Sequence, residues 1–267
     1  MKKIAVGLVA VLFSAAFLVP SEAATPKALV IIDSYFDSTV YNADVTCITL
    51  TNTACTDVVT TKPTLLSSDI NHGNAMAEVA KKQNKSLSIF LLRVGAASKN
   101  SVSAVNAGNF IDALNWVNTN SAKVGAVSLS RYFNGNNPCS PASVNTATYG
   151  GVSVADKTIR TLITTLKTKG IPVFVSTGNT MGTKIDYPAC IADTVSVSTG
   201  DLNSKGQIVS VNAYDANTDY VATSSIYSYT SPILGLIPQT TSSATAAVAA
   251  QWLTLGVLTN KVVQVTP

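Results

Sequence analysis

Histidine is almost missing from this 267-residue chain, which contains one, His72. Chemistry that needs an imidazole titrating near neutrality must use that residue or do without. Cysteine is sparse as well: four residues with no Cys-x-x-Cys spacing, which together with the lone histidine argues against a zinc-type site. Only 12% of the residues are charged and the formal net charge is +4, too mild and too scattered for a nucleic-acid surface. Beyond the first twenty residues no apolar run reaches the roughly 18 residues that span a bilayer. No internal repeat or low-complexity linker divides the chain, and no cluster of carboxylates marks a calcium site.

What is present starts with an export signal. Lys2 and Lys3 form a basic start, Ile4 to Val19 is almost wholly apolar, and Ser21-Glu22-Ala23 supplies small residues for cleavage. Residues 1–23 are expected to be a signal peptide and residues 24–267 one domain, ample for a sizeable core and without a stable membrane anchor after cleavage. The destination is a periplasm or the cell exterior. Four cysteines in an exported chain point to disulfides, and three pairings are open. Cys47 and Cys55 are close enough to close a small loop, which leaves Cys139 for Cys190.

Ala28 to Ile32, Ser86 to Arg93, Val124 to Leu129 and Pro172 to Ser176 are short runs rich in Val, Ile, Leu and Phe, as buried parallel strands require. Helical periods lie between them. Ala107, Phe110, Ile111, Leu114 and Val117 form one apolar stripe, and Val152, Ala155, Ile159, Leu162, Ile163 and Leu166 another, stopped at Gly170. Alternating strands and helices predict a three-layer α/β domain with a mainly parallel central sheet flanked by helices.

In such a sheet, functional groups gather beyond the carboxyl ends of the strands. Asp33 ends the first apolar run, Asn179 follows the run ending at Ser176, and His72 and Ser242 each open a helical pattern. Each has an ordinary alternative. Asp33 can cap a turn, Ser242 lies in a hydroxyl-rich run suited to a helix N-cap, and Gly178-Asn179 is a common turn pair.

The segments Asp33-Ser34, His72-Gly73-Asn74-Ala75-Met76-Ala77, Gly170 to Asn179 and Thr241-Ser242-Ser243-Ala244-Thr245, in that order, resemble the motifs of the subtilisin-like serine peptidases (subtilases, peptidase family S8). Val127-Ser128-Leu129-Ser130 is similar to that family's substrate-pairing edge, and Tyr187-Pro188-Ala189 to a further landmark. The resemblance spans Ala28 to about Leu258 and implies the subtilisin-like fold. It implies a secreted serine endopeptidase acting on peptides or proteins, with Asp33, His72 and Ser242 as catalytic triad and Asn179 as oxyanion donor. Ser128, Leu129 and Ser130, with Thr177 and Gly178, are then expected to bind substrate. No cofactor is identified, and a structural calcium ion is allowed by the resemblance alone. Oligomeric state is not legible.

The chain departs from the family pattern at Thr240, where glycine is usual, at Ala246, where proline is usual, and at Asn74, Ala75 and Glu78. A one-residue slip would exchange Ser242 for Ser243. Only Ala24 to Ile32 lies between the expected cleavage point and Asp33, so no folding prosegment is expected there. A binding protein that keeps the scaffold with impaired catalysis (a pseudopeptidase) is the alternative reading. An exported α/β ligand-binding module unrelated to peptidases is a third, and it leaves His72 without a role.

Overall fold

The computed structural model describes residues 27–33, 45–49, 72–94, 97–98, 101–102, 107–130, 154–179, 185–205, 208–210, 212–215, 217–228, 230–231, 235–236 and 240–256. The expected signal peptide, Cys55 and Cys139 lie outside the described residues. The strands are β1 (Ala28–Asp33), β2 (Val45–Thr49), β3 (Ile89–Arg93), β4 (Ala97–Ser98), β5 (Ser101–Val102), β6 (Val124–Leu129), β7 (Val173–Ser176), β8 (Val195–Leu202), β9 (Ile208–Ser210), β10 (Tyr220–Thr223), β11 (Thr230–Ser231) and β12 (Gly235–Leu236). The helices are α1 (His72–Gln83), α2 (Ala107–Thr119), α3 (Val154–Thr168), α4 (Ser224–Tyr227) and α5 (Thr241–Leu255).

Seven parallel strands run in the order β10-β8-β7-β6-β1-β3-β2, with β9 joined antiparallel to β8. β1 lies in the middle and every one of its residues is buried, which is why it reads as an unbroken apolar run rather than an alternation. Leu29 and Ile31 face one core, with Met76 of α1 and Ala247 of α5. Val30 and Ile32 face the other, with Phe110 of α2 and Ile163 of α3. Successive strand residues point to opposite faces, so one strand supplies both cores of the three-layer fold. Cys47 belongs to the first core and Cys190 to the second, and both are disulfide-bonded. Their expected partners, Cys55 and Cys139, are not among the described residues.

The central element is α5. Thr241 to Ala250 are all buried. A helix surrounded by protein needs no polar face, and six of those ten residues are alanine or valine, small enough for close approach to α1 and the sheet. Its start is a capping box: Ser243 N–H donates to Thr240 Oγ1, and Thr240 N–H donates to Ser243 Oγ. Its end is Gly256, at φ 70°, a left-handed conformation that costs glycine little.

Two differences from the sequence expectation have local causes. The strand foreseen from Ser86 begins at Ile89, because the Asn84 side chain accepts from both the N–H and the hydroxyl of Ser86 and holds a turn there. β8 lacked an apolar signature because buried positions carry hydroxyls, among them Ser196 and Ser198. Ser198 donates to the Ala213 carbonyl, and the Ser196 hydroxyl lies 2.8 Å from Asp219 Oδ2, so both are satisfied without water.

Candidate active site

The chain enters the sheet at β1 and builds outward in both directions, to β3 and β2 on one side and to β6, β7, β8 and β10 on the other. The order therefore reverses between β1 and β6. In an open parallel sheet, such a switch point, beyond the carboxyl ends of the two strands, is where a binding crevice is expected. Asp33 is the last residue of β1, and Ser130 immediately follows β6.

Asp33 is fully buried, and its Oδ2 lies 2.6 Å from Nδ1 of His72, the first residue of α1. An ionised carboxylate can only accept, so the proton between them sits on Nδ1 and Nε2 is left as the basic nitrogen. The His72 side chain is 18% exposed, whereas Asp33 is sealed from solvent. These two residues stand 39 positions apart in sequence and meet because α1 packs beside β1.

Ser242 occupies the first turn of α5, and its hydroxyl donates to the Ser130 carbonyl at 3.1 Å. Ser243 differs in kind. Its hydroxyl is spent within the cap, donating to the Thr240 carbonyl at 2.8 Å, and the residue is fully buried. Thr240 fills the glycine position without strain, since φ −120° and ψ 167° form an extended backbone open to any residue, and its side chain is the cap itself.

Asn179 joins the same helix end from β7. Its Oδ1 accepts from Thr241 N–H at 3.0 Å and from the Thr241 hydroxyl at 2.9 Å. Two donors on one atom settle the amide orientation: the oxygen points to the helix and Nδ2 keeps its hydrogens for another acceptor. The residue is exposed.

The expected substrate edge requires correction. Ser128 pairs with Ile31 of β1 and Phe174 of β7, and Leu129 with Ile32 and Val175, so β6 is bonded on both sides there. A strand with two neighbours has no free edge for a peptide. Ser130, one residue past the strand, accepts from the Ser242 hydroxyl through its carbonyl. Thr177 and Gly178 fall on the facing side of that opening, with Thr177 N–H donating to Val197 on β8 rather than toward Ser130. The hydroxyls of Ser130 and Thr177 are buried without a hydrogen-bond partner.

One residue at this place escaped the sequence reading. Asp186 packs against Gly178, whose φ is +108° and where a Cβ would collide with the Asp186 carboxylate. Its backbone N–H donates to the Thr177 carbonyl at 2.8 Å. Burial pushes its carboxyl above the usual range. The next residue, Tyr187, anchors the segment by donating to Asp156 Oδ1 at 2.7 Å, and Asp156 in turn pairs with Arg160 on α3. Its place directly before Tyr187-Pro188-Ala189 was the one available signal.

Among the described residues no group of three or more His, Cys, Asp or Glu side chains is placed to hold a metal ion. No described helix is long and apolar enough to cross a membrane.

Neither a family model nor a curated protein matches the sequence. Solved structures do resemble the fold. The prenylagaramide maturation protease PagA superposes with a TM-score of 0.55 at 17% identity, over 84% of this chain and 74% of that one. The self-cleaved protease domain of PatA gives 0.55 at 12% identity, over 86% and 79%. The PatG macrocyclase in complex with peptide gives 0.55 at 11%, over 86% and 78%. The chain thus has the three-layer, subtilisin-like α/β fold.

Proposed function

We propose that this protein is an exported serine endopeptidase of the subtilisin-like kind, working through an acyl-enzyme on Ser242. The observation that supports the reading is the 2.6 Å contact of Asp33 with His72 Nδ1, which leaves Nε2 as the nitrogen able to take a proton. Peptide lies along Ser130, and its own N–H takes the Ser130 carbonyl that the Ser242 hydroxyl occupies in the free protein. The displaced hydroxyl turns to Nε2 and gives up its proton as Oγ bonds to the scissile carbonyl carbon. Catalytic hydrogen bonds of this sort commonly form only with substrate present. Asn179 Nδ2 and the Ser242 backbone N–H receive the negative oxygen, the Thr241 and Ser243 N–H groups being engaged by Asn179 and Thr240. The C–N bond then breaks, Nε2 returns the proton to the leaving amine, and water hydrolyses the ester by the reverse sequence.

The first test is covalent. A fluorophosphonate should label the exported protein and fail on Ser242→Ala and on His72→Ala, while Ser243→Ala, which removes only the cap, should still react. Equal labelling of Ser242→Ala and the parent would end this reading. Failure of the parent itself to react favours the pseudopeptidase alternative, which draws on the Ser242 hydroxyl being bonded to Ser130 rather than to His72. For Asn179→Ala the expected result is a loss of about 100- to 1,000-fold in kcat with little change in KM, measured on a peptide amide. A change confined to KM would show that Asn179 binds substrate without serving the oxyanion.

A further inference from the structure

Pairing between β6 and β7 stops at Leu129 with Val175. Beyond it the two chains part: the Ser130 carbonyl serves Ser242, while Thr177 bonds to Val197 and to Asp186. Both sides of the gap carry a buried hydroxyl without a partner, Ser130 at 4% exposure and Thr177 at 0%. Burying such groups unpaired is costly unless something enters to bond them.

Asp186 lies against Gly178 on the β7 side of this gap, its N–H on the Thr177 carbonyl. Only glycine fits there, since a side chain would displace the carboxylate. That absence of a Cβ lets the carboxylate lie against the backbone one residue from Asn179, the group assigned to the oxyanion. Among the described residues no lysine or arginine pairs with it, unlike Asp33, Asp156 and Asp193, which hold His72, Arg160 and Lys167 respectively. Desolvation without a compensating cation is what raises its pKa.

We propose that the Asp186 carboxylate is the floor of the pocket receiving the side chain on the amino side of the scissile bond, and that it selects lysine or arginine there. The inference rests on the peptidase reading for which residue enters the pocket. Its physical content is separate: an anionic floor, half-buried and lacking its own counter-charge, gains most from a long cationic side chain whose stem fills the opening. Aliphatic residues leave the carboxylate desolvated and unpaired, and acidic ones add repulsion.

The test uses Ser242→Ala protein, so that binding is read without turnover. Short peptides of common sequence ending in arginine, lysine, leucine or glutamate are titrated by calorimetry. The basic pair should bind at least about 10-fold tighter than leucine, and the isosteric Asp186→Asn change should abolish that margin. Asp186→Lys should move the preference to glutamate. Asp193→Asn, which removes a carboxylate bound to Lys167 and Thr164, should keep the original order. Equal affinities, a margin that survives Asp186→Asn, or no binding of any of the four peptides would overturn the proposal. Fluorophosphonate labelling reports on Ser242 alone, so charge selectivity without labelling would reject the peptidase reading and leave the pocket standing.

Discussion

Ser242→Ala is expected to lower kcat about 10⁶-fold, and adding His72→Ala to it to cost little more. The reason is that the two side chains perform one act. Once the hydroxyl is gone, a base at Nε2 has no proton to take, and what survives is whatever rate enhancement Asn179 and the start of α5 provide by binding and charge. The structure favours a clean result because, among the described residues, the Ser242 hydroxyl bonds only to the Ser130 carbonyl, and helix α5 is capped by Thr240 and Ser243 instead. The alanine variant should therefore keep its melting temperature to within a few degrees. Single-turnover and steady-state kinetics on the single and double variants decide the matter. Multiplicative losses would mean that His72 acts independently of Ser242.

Asp33→Asn should reduce kcat about 10⁴-fold while the protein stays folded. The carboxylate accepts from His72 Nδ1 at 2.6 Å and so forces the tautomer with a free Nε2. An asparagine amide oriented to donate at that place reverses the assignment: Nδ1 becomes the acceptor, the proton moves to Nε2, and Nε2 can no longer take one from a serine hydroxyl. It also removes the negative charge that steadies the imidazolium. Asp33→Glu, which keeps charge but lengthens the arm inside a fully buried position, should recover only part of the rate. Steady-state kinetics at two pH values and a circular dichroism spectrum for each variant provide the check. Wild-type turnover by Asp33→Asn would show that the contact with His72 is structural.

Much of this site could be read in the chain because its parts are local. Asp33 closes an unbroken apolar run, His72 and Ser242 open helices, and Asn179 follows a buried strand, all consequences of short-range pattern. Ser128 and Leu129 were misplaced for a long-range reason. Whether a strand has a free edge depends on which strands flank it, and β6 acquires both neighbours from segments about 95 residues before and 45 after. Ser242 and Ser243 could not be separated by composition either. Their difference is which hydroxyl the cap consumes, a matter of helix geometry.

Asp186 illustrates the other limit. A lone aspartate before Tyr187 carries no periodic signal, and its meaning comes from Gly178 giving way beneath it.

By itself the sequence determined the layered class of the fold, the positions of β1, β3, β6, β7, α2 and α3, and the order of the four candidate site residues, since hydrophobic period and chain punctuation act over a few residues at a time. Only the tertiary structure decided that the strand order reverses between β1 and β6, that Asp33 touches His72 there, and that Asp186 stands behind Gly178. Those facts depend on how segments far apart in sequence pack against one sheet, where burial and hydrogen-bond satisfaction are settled jointly rather than residue by residue.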